Sequence, residues 1–169
     1  MANPDFVLLL ERNYPGSVYG GSCHTYEKIK WTDPINPKPL EATLVAEWAV
    51  LEVQLEMEAK ILELSIAAQD EITQGFESSA IGSSHWYDAN LEDQLNLVGM
   101  TTAGTDSYFS VRTLKTDVQK VYMLHTAAQF HQVLEDGKLV KLVILQKFNN
   151  LKDAVLACTS VAAVQAINW

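Results

Sequence analysis

Residues 40–73 contain neither glycine nor proline, and their apolar side chains recur at three- and four-residue steps. Under that spacing Leu44, Trp48, Leu51, Leu55, Ala59, Leu62 and Ile66 fall on one side of a helix. Pro39 stands just before the expected start, where the missing N–H costs nothing because first-turn donors lack helical partners anyway. Gly75 stands just past the expected end, where a left-handed residue is favoured. At a rise of ~1.5 Å per residue the helix is on the order of 50 Å long. Val53, Met57, Ile61 and Leu64 form a second apolar row beside the first. A rod so broadly apolar needs more than one surface to cover it. The pattern is compatible with packing along its own domain, and with pairing to copies of itself or to another chain. A strict 3.5-residue seam is interrupted, because Glu58 and Ser65 stand where it requires apolar residues.

The flanking segments differ in texture. Residues 1–39 are rich in turn formers: Tyr14-Pro15-Gly16, Gly20-Gly21, Asp33-Pro34, Pro37 and Pro39. Short β-prone runs at 6–10, 17–19 and 25–31 lie between them, the last alternating apolar and polar as a half-buried strand does. This reads as a small β-rich N-terminal module. Beyond Gly75, a hairpin is expected over 76–81 and 84–87 around Gly82, then a short helix from 91 to 100 with Asn90 as its N-cap. Strands follow at 107–114 and 120–124, a helix at 126–134, a turn at Asp136-Gly137, a helix at 139–158, and a last short helix from 161 to 167 capped by Thr159 and Ser160. The expected class is therefore α+β: a β-rich module over 1–39, one long helix over 40–74, and a C-terminal domain of short strands and several helices over 75–169.

The chain has 169 residues and a net charge of −9, which argues against a nucleic-acid backbone as partner because phosphates would be repelled. Membrane insertion is not expected either: the apolar run 139–145 is broken by Lys141 and falls far short of the ~20 residues a spanning helix needs. Residues 1–20 carry no basic leader, so the expected place of synthesis is a cytoplasm, with export only inside an assembly. Cys23 and Cys158 read as two reduced thiols rather than a bridge.

Chemistry-bearing patterns are sparse. His24, His85, His125 and His131 show no metal-ligand spacing, since 125 and 131 would face different sides of one helix. No Gly-x-Ser-x-Gly elbow or glycine-rich phosphate loop is present. Glu92-Asp93, Asp70-Glu71 and Glu135-Asp136 are adjacent carboxylates of the kind that form solvated faces. No catalytic residue, metal site or cofactor is expected. Among the aromatics, Trp48 and Tyr122 lie in periodic segments and read as core, whereas Trp86 and Tyr87, at the end of a hairpin strand, read as interface candidates. The candidate partner-binding residues are thus Leu44, Trp48, Leu51, Leu55, Leu62, Ile66, Trp86 and Tyr87.

Two stretches carry a resemblance. Tyr26, Trp31, Asp33, Lys38-Pro39 and Glu41, leading into the helix with Trp48, resemble a short module of small phage tail proteins and tail-assembly chaperones. Leu40 and Glu41 depart from that module's usual Lys-Pro-Thr-x-x-Glu form. The second stretch comprises Gly75-Phe76, Ala80-x-Gly82, Trp86-Tyr87-Asp88, Asp93-Gln94-Leu95-Asn96-Leu97, His125-Thr126-Ala127-x-Gln129 and Val161, Gln165, Ile167-Asn168-Trp169. It resembles a domain family of phage tail-fibre and tail-fibre-assembly proteins. The resemblance implies a virion role without catalytic residues: a tail structural protein at the fibre or baseplate, acting by protein–protein binding in fibre attachment and host adsorption. Its implied partners are fibre and baseplate proteins, and its implied location is the phage tail after synthesis in the host bacterial cytoplasm; self-association through the long helix is a further option that the helix's own apolar rows leave open. A tail-fibre assembly chaperone is the alternative, and a tail-associated envelope- or polysaccharide-degrading enzyme a third. The polar residues of the second stretch read as structural, because buried amides and imidazoles must find partners.

Overall fold

The structure is a computed structural model that describes residues 3–169. Its fold is α+β, with five α-helices and three antiparallel pairs of short strands among the described residues. The chain divides into two compact units, one built from residues up to 60 with 155–167 and the other from residues 61–154 with 168–169.

In the first unit α1 (Phe6–Asn13) is a helix where the apolar run suggested a strand. Five consecutive apolar residues have no period of their own, and the cap decides: an Asp5 carboxylate oxygen accepts the Leu8 N–H at 3.1 Å. Phe6, Leu9 and Leu10 then share the buried face. β1 (Tyr19–Gly20) pairs antiparallel with β2 (Lys30–Trp31). The strand expected over 25–31 is shortened by a 3-10 turn at Tyr26–Lys28. Lys38 accounts for this, since its Nζ donates to the carbonyls of Tyr26 (2.9 Å) and Ile29 (3.0 Å) and draws them away from any ladder. Gly21, at φ +92°, is required here, because a Cβ would come within 2.1 Å of the Lys28 carbonyl oxygen. α2 (Glu41–Gln74) begins after Pro39 and contributes Leu44 and Leu51 to a core with Phe6, Leu9, Leu10 and Ile29. The Tyr14 hydroxyl donates to Glu47 at 2.9 Å, tying α1 to α2. Burial, then this carboxylate, pushes the Tyr14 pKa up to about 12.

The second unit starts within α2 and turns at Gly75, whose φ of +111° suits a helix end and whose missing Cβ would otherwise sit 2.3 Å from the Tyr87 carbonyl oxygen. β3 (Phe76–Ser78) and β4 (His85–Tyr87) form the expected hairpin. α3 (Leu91–Ala103) is capped by Asn90, which accepts the Asp93 N–H at 2.9 Å, and ends at left-handed Gly104. β5 (Ser107–Val111) pairs with β6 (Val121–His125), and reciprocal hydrogen bonds between Trp86 and Arg112 (2.8 and 2.9 Å) stitch β4 to the end of β5. α4 (Ala127–Leu156) opens with a capping box, Thr126 N–H to the Gln129 side chain at 2.8 Å and Gln129 N–H to the Thr126 hydroxyl at 3.3 Å. The turn expected at Asp136-Gly137 does not form, and α4 runs through it. Gly137 serves clearance instead: a Cβ there would lie 2.7 Å from the tip of the Phe76 ring. Phe76, Tyr87, Leu97, Val111, Phe130 and Val133 make the core. α5 (Val161–Gln165) belongs to the first unit and is capped by the Ser160 hydroxyl.

Candidate functional site

Most of the residues singled out as partner contacts are covered by their own chain. Leu44 and Leu51 are 0 and 2% exposed in the first unit's core, and Trp48 and Leu55 pack half-buried against it. Tyr87 is buried because alternation along β4 sends it inward opposite Phe76. Trp86, on the other face, is half-buried: its indole N–H donates to the Gln74 carbonyl (3.2 Å), and Lys115 lies 4.9 Å from its ring centre. Tyr122, expected in the core, is exposed, since β6 directs Met123 and His125 inward instead. Leu62 and Ile66 alone among the candidates remain as open apolar surface on α2.

The residues that carry the resemblance hold the fold. Tyr26 donates its hydroxyl to the Pro39 carbonyl at 2.8 Å, Trp31 its indole N–H to the Asn36 carbonyl at 2.7 Å, and Lys38 sits 3.9 Å over the Tyr26 ring. Asp33 accepts the backbone N–H groups of Asn36 and Ile35, which hold its carboxyl down to about 2. In the second unit His125 is fully buried with its Nδ1 2.8 Å from the Met123 carbonyl and its Nε2 2.8 Å from the Tyr87 hydroxyl. A carbonyl only accepts, so Nδ1 carries the proton and Nε2 accepts from Tyr87. Burial lowers the His125 pKa and pushes that of Tyr87 up to about 12. Asp88 binds Arg112 (3.0 Å) and Lys120 (2.7 Å), Gln94 donates to the Ala89 carbonyl (2.6 Å), and Trp169 donates to Glu71 (2.7 Å).

One polar cavity, of about 630 Å³, opens beside Ser78, Ser84, Gln132 and Asp136. The Ser78 hydroxyl donates to Asp136 at 2.5 Å, and Gln132 donates to the second carboxylate oxygen at 2.7 Å. His85 stands opposite Ser78 in the hairpin but bonds the Ser83 carbonyl through Nδ1 at 2.8 Å. Serine, imidazole and carboxylate therefore do not line up as nucleophile, base and orienter. Among the described residues no group of three or more His, Cys, Asp or Glu side chains could hold a metal ion, and no helix is long and apolar enough to cross a membrane.

The second unit also presents wide apolar surface. On α3, Leu91, Leu95 and Val98 recur at i, i+4 and i+7 and point outward, while Leu97 and Thr101 point in. On α4, Leu139, Leu142 and Val143 are 60–69% exposed, and Ile144 is the buried member of the run. A groove of about 250 Å³ runs between these helices, walled by Leu97, Val98, Val140 and Ile144, with Lys138 and Lys141 beside it. Tyr108, Tyr122 and Leu124 add an exposed face on the β5–β6 pair. Open apolar surface of this extent, flanked by cations, is suited to receiving another polypeptide. The sequence signal was the run 139–145, whose length spoke against a membrane span and whose density of exposed aliphatics speaks for a contact surface. No protein-family profile, no curated protein and no solved structure matches the chain.

Proposed function

We propose that this chain is a bacteriophage tail protein that works by binding other protein chains at the tail fibre or baseplate, in fibre attachment and host adsorption. The observation that carries the reading is the exposed aliphatic surface of α3 (Leu91, Leu95, Val98) and of α4 (Leu139, Leu142, Val143). The phage-tail resemblance, carried by most of residues 25–169, supplies the setting. Apolar area removed from water stabilises association by roughly 25 cal/mol per Å², and a stable specific contact covers about 1,600 Å². Lys138 and Lys141 would set the register by favouring a partner with acidic flanks.

Mass spectrometry of purified virions, with co-purification of the neighbouring fibre protein, tests this. The chain is expected in the mature particle and bound to the fibre protein. Binding to the fibre protein without retention in the particle would replace the structural role by the assembly-chaperone one. Absence from both would overturn the reading.

A further inference from the structure

We propose that the open apolar faces of the second unit close on a second copy of this chain, residues 61–74 of α2 in one copy lying along residues 138–152 of α4 in the other, and reciprocally. The inference rests on the protein-binding reading above and names the partner. Residues 61–74 carry Glu63, Asp70 and Glu71 and no basic side chain, with Leu62 and Ile66 open to solvent. Residues 138–152 carry Lys138, Lys141, Lys147 and Lys152 and no acidic side chain, with Leu139, Leu142 and Val143 open. Each segment is thus an amphipathic helix that lacks a cover, and the two have opposite charge. Within one copy the same two segments already use the match once, Lys147 lying 3.7 Å from Glu71. Asp70 and Lys141 are exposed and make no ion pair among the described residues. Because both segments are on every copy, a two-fold arrangement makes the contact twice and closes on itself. A chain with a net charge of −9 resists self-association unless basic groups stand at the contact; with Lys138 paired to Glu135 and Lys147 to Glu71, Lys141 and Lys152 are the lysines of 138–152 that make no ion pair among the described residues.

Sedimentation velocity on the full chain tests the inference. The natural sequence is expected to sediment as a dimer. Leu142→Glu, Lys141→Glu and Asp70→Lys alter exposed positions, so circular dichroism should match the natural sequence while the dimer dissociation constant rises by about tenfold or more. Mixing the Lys141→Glu chain with the Asp70→Lys chain should restore the dimer, because both reciprocal contacts then join opposite charges. A monomeric natural sequence at tens of micromolar, or a mixture that stays monomeric, overturns the inference. A monomer that is nevertheless found in purified virions sinks this inference and leaves the tail role standing; a dimer absent from virions and from fibre complexes does the reverse.

Discussion

The same helix meets different surroundings in the two units. In the first, α2 turns Leu44 and Leu51 into a core closed by α1 and the residues around β2. It also leaves Val45 and Val50 open there. In the second, it buries Leu64 and Ala68 and leaves Leu62 and Ile66 open, and α3 and α4 add further bare aliphatics. Spacing at three and four residues recurs through both stretches. The comparison teaches that periodicity identifies an apolar face, whereas cover depends on what the rest of the chain brings to it. The first unit brings a capped eight-residue helix and the aromatic cluster of Tyr14, Tyr19 and Trp31. The second packs Phe76, Tyr87, Phe109 and Phe130 into its core and leaves Tyr108 and Tyr122 on the outer face of its strands, while the aliphatics of α3 and α4 stay bare.

The sharpest way to break that contrast is truncation on both sides of it. Leu51→Ala should cost about 2–5 kcal/mol in urea unfolding, the range for aliphatic truncation inside a packed core. Gly137→Ala comes next. Helix propensity alone would make it stabilising by about 1 kcal/mol, yet a Cβ would collide with the Phe76 ring at a cost of about 1–3 kcal/mol, so a net loss of up to about 2 kcal/mol is expected. Tyr87→Phe removes the donor to His125 Nε2 inside the second core and should cost about 1–3 kcal/mol for the acceptor left alone.

A pH titration sharpens the comparison further, because His125 lies in the second core. Its folded pKa is depressed, so the unfolded chain takes up the proton first as pH falls. Its contribution is complete above the unfolded value of about 6.5 and is lost as pH drops below it. The melting temperature should fall between pH 7 and pH 5, and His125→Gln should remove that part of the slope. The smallest effect belongs to the open surface: Leu142→Ser should change monomer stability by under about 0.5 kcal/mol.

Much of this fold is legible in the sequence. The long helix, its Pro39 entry and Gly75 exit, the hairpin around Gly82, and the caps Asn90 and Ser160 all follow from local rules, and each has the anticipated geometry. The misreadings have local causes. Residues 6–10 are ambiguous between strand and helix, and Asp5 tips them. Asp136-Gly137 suggests a turn because a glycine needed for a close approach looks the same in sequence as one needed for a positive φ. Tyr87 and Tyr122 were exchanged between core and surface, since a shift of one residue along a strand reverses its faces. The open apolar surface is the least legible part. Leu91, Leu95 and Val98 announce a stripe, but only tertiary structure says that nothing in the chain covers it.

On the proposed reading, Leu139, Leu142 and Val143 are the exposed centre of a contact surface. Hydroxyl-radical footprinting of these residues, in the isolated chain at high dilution and in purified tail particles, measures their exposure directly. Strong labelling of Leu139, Leu142 and Val143 in the dilute chain and protection in the particle are predicted. Equal labelling in both states would contradict the account.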